Sequence, residues 1–284
     1  MPLHAELDHL VIAAQTLEQG VAWCEATLGA TPAPGGKHAL MGTHNRLLSI
    51  AGPKFEQAYL EIIAIDPEAV PPGHARWFGL DEPSLQQALC EGPRLVHFAA
   101  RVPDLAAACV AWAALDLQPG TAVVVSRDTP RGRLEWLITV RKDGRPQHHG
   151  ALPTLIQWGE QLCAGPPQAQ LQPPRGAERG RRTGPADCAS PREGLGLASP
   201  NAACKVVAVG GDRGSTFIHP AQSLPDSGVS LRSMSVSAPR REPLMRAFVS
   251  IGLAGVSVTQ GPPGLQALLR GPRGDVILPG GFGP

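Results

Sequence analysis

A short apolar run with a histidine at its third position occurs twice, as Leu7-Asp8-His9-Leu10-Val11-Ile12-Ala13 and as Leu95-Val96-His97-Phe98-Ala99-Ala100-Arg101. Each copy leads into a helical pattern: Leu17 lies eight residues past His9, and Leu105 lies eight past His97. Ala22-Trp23 and Ala111-Trp112 then follow at nearly matched positions. The first helix is expected from about Leu17 to Leu28, stopped by Gly29. The second is expected from Asp104, a good N-cap residue, to about Leu115, with Pro119-Gly120 beyond. Strand patterns come next. Arg46 to Ile50 and Tyr59 to Ile65 flank a turn in the first copy; Thr121 to Ser126, Leu134 to Val140 and Leu155 to Trp158 follow in the second. The repeat is therefore a βαβββ module. One such module exposes an apolar sheet face and needs a partner, which makes this an α+β fold of paired βαβββ modules.

The paired unit is expected over residues 3–160. From 161 to 219 the pattern is lost: Pro and Gly are frequent, no aromatic residue occurs before Phe217, and Arg175, Arg179, Arg181 and Arg182 cluster without apolar period. Such a segment buries too little apolar surface to offset chain entropy and reads as a disordered insertion. Its Lys205-to-Gly211 run is strand-like, and Val209 to Gly214 lacks the spacing of a phosphate loop. From 220 to 280 a third, partial βαβββ copy is expected. It has strands Leu231–Ser237, Val256–Thr259, Leu265–Arg270 and Asp275–Leu278 and a helix Glu242–Leu253; Ser233 replaces the repeated histidine.

Composition narrows the functional classes. Gly and Pro make 63 of 284 residues, against a usual share of roughly 12%, which argues against a helical bundle. Twenty-five basic and 24 acidic residues leave a formal charge of +1, so nothing draws the chain globally to nucleic acid or an anionic membrane. No apolar run reaches the roughly 18 residues of a span. Glu6 and Asp8 stand where a signal peptide would be basic and then apolar, so a soluble, cytoplasmic protein is expected. None of the six cysteines forms a CxxC pair, and free thiols are the simplest reading.

Two histidines at matched places in apolar strands are the first functional signal. A buried imidazole costs free energy unless its nitrogens are bonded; one alone would read as a satisfied core residue, while a matched pair points to ligand or catalytic use. Two-residue alternation would put Leu7 and Val11 on the same face as His9. Glu61 lies in the almost wholly apolar run Tyr59-Leu60-Glu61-Ile62-Ile63-Ala64-Ile65, where a buried carboxylate calls for a cation, unless the strand is an edge with Glu61 facing solvent. Gln157 in Leu155-Ile156-Gln157-Trp158 is read as its counterpart. His9, Glu61, His97 and Gln157 would form an N2O2 set for a divalent ion, of which two histidines and a carboxylate are also the ligand set of non-haem Fe(II) oxygenases. His44 and Asn45, following Gly42-Thr43, could bind a substrate oxygen or satisfy a local turn. Arg76-Trp77-Phe78 reads as a loop anchored by an aromatic plug, with Trp77 against the substrate. His148-His149 reads as a solvated hairpin, and His219 as structural.

These residues together resemble the vicinal oxygen chelate superfamily. Leu7 to Val11, His38-Ala39-Leu40-Met41-Gly42-Thr43-His44-Asn45, Tyr59 to Pro67 and Arg76-Trp77-Phe78-Gly79-Leu80 resemble its bacterial glyoxalase-like domain proteins. The resemblance implies a curved mixed sheet enclosing a cleft, with His9, Glu61, His97 and, less directly, Gln157 at metal-ligand positions. It implies a divalent metal (Zn, Ni, Mn or Fe), a small oxygenated substrate and glyoxalase-type isomerase or lyase chemistry, with Glu61 as the proton-transferring residue. An Fe(II) ring-cleaving dioxygenase and a non-catalytic small-molecule binding or resistance protein are the alternatives. Modules of this type pair within or between chains, so a homodimer is compatible with the sequence.

Overall fold

The computed structural model describes residues 3–129, 132–159 and 219–280. Apart from His219, the segment read as an insertion lies outside the described residues. The first module is β1 (Glu6–Ala13), α1 (Leu17–Leu28), β2 (Ala33–His38), β3 (Thr43–Ser49) and β4 (Tyr59–Ile65). A 3-10 turn (Trp77–Gly79) and α2 (Pro83–Leu89) lead to the second module: β5 (Arg94–Arg101), α3 (Leu105–Ala113), β6 (Thr121–Thr129), β7 (Gly132–Val140) and β8 (Thr154–Trp158). The helix signals act as expected. Thr16 caps α1 by accepting from Gln19 N, Gly29 ends it at φ 73°, and Asp104 caps α3 by accepting from Ala107 N. β2, with the sequence Ala-Pro-Gly-Gly-Lys-His, carries no strand pattern; it forms because it lies at the sheet edge and pairs only with β3.

In each module the first strand pairs in parallel with the last, β1 with β4 and β5 with β8, and the middle strands follow antiparallel. The two modules join through the antiparallel pair β1–β5. The result is one large mixed sheet with helices against one face and a cleft on the other. Leu10, Ile12, Leu60, Ile62, Phe98 and Trp112 fill the helix side. Complete burial of one such aliphatic side chain contributes about 1.5–3 kcal/mol. Val11, Ile63, Trp77, Phe78 and Trp136 line the cleft side.

The repeat extends to a backbone irregularity. The β1–β5 register steps from Leu7↔Ala100 to His9↔Ala99, skipping Asp8, and from Val11↔His97 to Ile12↔Leu95, skipping Val96. The bulged residue in each copy immediately precedes the histidine. A bulge reverses the alternation beyond it. Leu7 therefore packs on the helix side, contrary to simple alternation, while His9 joins Val11 on the cleft side.

The third unit is complete in element order but not in pairing. After a short α4 (Pro220–Ser223) come β9 (Ser230–Ala238), α5 (Glu242–Ile251), β10 (Val256–Gln260), β11 (Gly264–Gly271) and β12 (Gly274–Gly280). Here β9 lies between β10, parallel, and β11, antiparallel. The strand after the helix thus takes the place that the last strand takes in the first two modules. The bulge is kept: pairing steps from Leu268↔Ser233 to Leu269↔Leu231, skipping Arg232. This unit extends the sheet from β12 onto β5. It is anchored to α3 by Trp112, whose Nε1 donates to Ala247 O at 3.1 Å. Among the described residues no helix is long and apolar enough to cross a membrane.

Candidate active site

The bulge in β1 turns Asp8 into the centre of a buried network. Its Oδ1 accepts from His9 Nδ1 at 2.6 Å, and its Oδ2 accepts from Trp158 Nε1 at 2.8 Å and from His219 Nε2 at 2.9 Å. Burial alone would raise the Asp8 carboxyl, but the hydrogen bonds and charges of His219 and His9 outweigh it and hold the group well below the usual carboxylate range. Burial likewise works against charging His9, yet the Asp8 hydrogen bond and the Asp8 and Glu61 charges leave its imidazole raised above its ordinary value. With Nδ1 fixed by Asp8, His9 turns Nε2 to Glu61 Oε2, 3.5 Å away.

Glu61 reaches this place because β4 runs parallel to β1, with Val11 opposite Glu61 and His9 opposite Tyr59. Its other oxygen accepts from Asn45 Nδ2 at 2.5 Å. Asn45 is oriented in turn by Gly36 N, which donates to Asn45 Oδ1 at 2.8 Å. His38 stands beyond, with Nε2 3.3 Å from Asn45 Nδ2 and Nδ1 3.1 Å from Thr43 Oγ1. A continuous polar chain therefore runs from Gly36 through Asn45, Glu61, His9 and Asp8 to Trp158 and His219. It borders a recess of about 370 Å³, counted out to its open mouth.

The close approach of β2 to β3 sets this geometry. A Cβ built on Gly35 would overlap both the side chain and the backbone of Asn45. Gly35→Ala is expected to cost about 1–3 kcal/mol and to push Asn45 off Glu61. Thermal unfolding and the side-chain amide NMR signals of Asn45 would measure both; an unchanged amide environment would show that Gly35 does not hold Asn45 in place.

The sequence-predicted residues separate into three groups. His9, Glu61, Asn45 and Trp77 meet in the recess. His97 lies on the cleft side but in a neighbouring recess of about 380 Å³, and Trp77 and Phe78 wall both. Phe78 adopts φ 57°, unusual for a bulky residue, and packs 5.4 Å from the His97 ring. Trp77 Nε1 is buried there without a hydrogen-bond partner. Gln157 and His44 face the other way. Gln157 Oε1 accepts from Leu105 N at 2.7 Å and caps α3 on the helix side. His44 pairs with Ala64, whose side chain packs in the helix-side core, whereas Asn45 pairs with Ile63 of the cleft side.

Register identifies the true counterpart of Glu61. Val11, two residues past His9, pairs with Glu61; Ala99, two past His97, pairs with Thr154. Thr154 donates its backbone N–H to His97 Nε2 at 3.0 Å and places its hydroxyl 2.9 Å from the same nitrogen. The second copy thus repeats the histidine–partner contact with a neutral partner. Burial first, then repulsion from His9, pushes the His97 imidazole down to about 3, with the Gly150 carbonyl opposing.

These contacts decide whether a divalent ion fits. Among the described residues no group of three or more His, Cys, Asp and Glu is placed to hold one. His97 Nε2 is occupied by Thr154, and Gln157 is on the far face of the sheet. The expected N2O2 set reduces to His9 and Glu61, two donors where a zinc site takes at least three from protein. Several residues of the network were not singled out from sequence. Asp8 was one; the signal for it was an acid directly before the repeated histidine where the other copy has Val96. His219 was read as structural only.

Paired βαβββ modules joined through their first strands define the vicinal oxygen chelate class of protein. Within that class the model of the glyoxalase-like domain matches residues 7–180, and the chain belongs to this family. Comparison with the curated proteins found no match. Among solved structures, a hypothetical protein from Staphylococcus aureus is 14% identical with a TM-score of 0.48, covering 98% of this chain and 86% of its own. Methylmalonyl-CoA epimerase from Mycobacterium tuberculosis is 22% identical with a TM-score of 0.34, covering 56% of this chain and 91% of its own. The Streptomyces coelicolor methylmalonyl-CoA epimerase in complex with 2-nitronate-propionyl-CoA is 19% identical with a TM-score of 0.35, covering 54% and 97%. These likenesses are too distant to carry an activity across.

Proposed function

We propose that the recess is a proton-transfer site of the isomerase or lyase type, acting on a small oxygenated substrate. The observation behind this reading is the buried contact between His9 Nε2 and Glu61 Oε2, with each partner held from behind, His9 by Asp8 and Glu61 by Asn45. Glu61 is the group that takes a proton from a carbon next to a carbonyl and returns it. His9, bearing its Nε2 proton, donates to the oxygen on which negative charge develops. Asp8 keeps the imidazole in the required orientation and stabilises its charged form. Such preorganised donors act most strongly where water is excluded. A substrate that displaces water from this aromatic-walled recess would meet that condition.

No step is assigned to a metal, because the described donors do not complete a site. For the same reason the geometry does not favour the Fe(II) ring-cleaving alternative, whose two histidines and one carboxylate must meet at one ion. Transfer of substrate hydrogen to solvent tests the reading. In deuterium oxide, NMR of a panel of 2-oxo and 2-hydroxy carbonyl compounds should show enzyme-dependent loss of the hydrogen on the carbon next to the carbonyl. Glu61→Gln should slow this exchange by about 10²–10⁴-fold, and EDTA should leave it unchanged. Exchange that survives Glu61→Gln would overturn the assignment, and saturable binding with no exchange on any member would favour a non-catalytic binding protein.

A further inference from the structure

Asp8 receives one of its hydrogen bonds from the third unit, and the backbone fixes the tautomer of that donor. His219 stands directly before α4, where its Nδ1 accepts from Ala221 N at 3.2 Å. A ring nitrogen that accepts carries no proton, so the proton sits on Nε2, which donates to Asp8 Oδ2 at 2.9 Å. His219 is 3% exposed and Asp8 0%, so water competes for neither end of this bond. Five aromatic side chains line the recess: Tyr59, Trp77, Phe78, Trp136 and Trp158. Two of them meet the His219 ring edge-on, Tyr59 at 5.8 Å and Trp158 at 5.3 Å, and Pro220 forms part of the recess wall. The repeat supplies an internal comparison. Val96 precedes His97 where Asp8 precedes His9, and His97 Nε2 takes the Thr154 N–H. The third unit thus reaches the copy whose histidine stands between two carboxylates, Asp8 and Glu61.

We infer that His219 is a positioning residue of the site: it holds one oxygen of Asp8 so that the other is aimed at His9 Nδ1, and it takes a share of the carboxylate's charge. The inference rests on the proton-transfer reading, and it makes the third unit part of the site rather than an extension of the sheet alone. The last torsion of an Asp side chain is broad, so a carboxylate bonded to His9 alone would be free to turn. Trp158 and His219 both donate to Oδ2 and fix its plane, which leaves Oδ1 2.6 Å from His9 Nδ1 and directs His9 Nε2 at Glu61. The same donors moderate the acceptor. Without His219, Asp8 would bind the Nδ1 proton more strongly, and His9 would become a weaker proton donor at Nε2. A buried histidine with an ordinary core role needs only partners for its two nitrogens; it does not govern the hydrogen bond of a second imidazole.

Proton NMR of the full-length protein labelled with nitrogen-15 histidine reads this hydrogen bond through the His9 Nδ1–H signal. His219→Phe keeps a ring between Tyr59 and Trp158 but has no donor. In this variant the signal should move downfield, as Asp8 draws the proton more strongly. The kcat of deuterium exchange should fall by about 10–10²-fold, as for a displaced catalytic group, with KM changed by less than about twofold. His219→Gln, whose side-chain N–H can reach the same oxygen, should return the signal most of the way and recover most of kcat. A histidine that only fills space would lower stability in both variants and leave the signal in place. An unmoved signal in His219→Phe, or equal losses in the Phe and Gln variants, would overturn the inference. Should His219→Phe fail to fold, Trp158→Phe removes the other donor to Oδ2 and must move the same signal downfield; an unmoved signal there is equally decisive against it. A signal that moves as expected, with no exchange on any substrate, would remove the proton-transfer reading and leave His219 holding Asp8 against His9. Exchange in the parent that is undiminished in His219→Phe would do the reverse.

Discussion

Asp8→Ala is expected to destabilise the folded chain by about 3–5 kcal/mol, because it leaves buried partners of a paired charge uncompensated. Three donors lose their acceptor at once: His9 Nδ1, Trp158 Nε1 and His219 Nε2. The carboxylate itself is wholly buried, so water cannot take its place without opening the sheet. Against a typical total stability of about 5–15 kcal/mol this is a large share. Asp8→Asn keeps the volume and one acceptor oxygen and should cost less, about 1.5–3 kcal/mol for a charge-assisted bond. The sign of the pH dependence follows from the depressed Asp8 carboxyl: its stabilisation is full above the ordinary value of 3.8 and is lost only as pH falls below it. Urea unfolding at neutral pH measures the effect. A midpoint for Asp8→Ala matching that of the unsubstituted protein would show that the network contributes nothing to stability.

The second large effect is acid destabilisation through His97. In the folded protein this imidazole stays neutral down to about pH 3, whereas in the unfolded chain it takes up a proton near 6.5. Between those values the unfolded state holds one more proton, so stability falls as pH falls, by about 1.4 kcal/mol per unit. By pH 4 the loss is about 3 kcal/mol from this one group. The shifts of His9 and Asp8 do not add to this slope. The raised His9 imidazole contributes its full stabilisation below 6.5 and loses it only at higher pH, and Asp8 begins to lose its own only below 3.8. His97→Gln, which can still accept from Thr154 N, should flatten the slope of unfolding free energy between pH 6.5 and 4. If the slope is the same in variant and parent, His97 does not remain neutral on folding.

Much of the architecture can be read from the one-dimensional pattern because its causes are local. The helix from Leu17 is bounded by Thr16 and Gly29, and the helix from Leu105 by Asp104, each through contacts within a few residues. Strands with apolar alternation or runs, such as Tyr59 to Ile65, emerge at the expected places. β2 escapes this reading because an edge strand with Pro and Gly is stabilised by its neighbour rather than by its own composition. The third unit shares the element order of the first two, yet element order does not determine which strand lies beside β9.

The site was legible to the same degree. His9 and Glu61 could be singled out because each interrupts an apolar run, His9 at a matched place in the repeat, whereas Asn45 was marked by its place at the start of a strand and Trp77 by the aromatic loop after a Pro-rich stretch. The placing of Gln157 and His44 depended on which side of a strand each residue occupies, and an offset by one residue reverses that side. The pairing of His44 with Ala64 and of Ala99 with Thr154 sets those sides, and neither register is contained in the strand's own sequence.

The amino-acid order alone therefore determined the repeated module, its helices and the presence of an imidazole and a carboxylate in apolar strands, since propensity, capping and hydrophobic period act over a few neighbouring residues. Only the tertiary structure decided that His97 is partnered by Thr154, that Asp8 binds His219 from 211 positions away, and that five aromatic side chains gather around Glu61. Strand register and the packing of distant segments are set by the free energy of the whole sheet, which no local stretch of the chain contains.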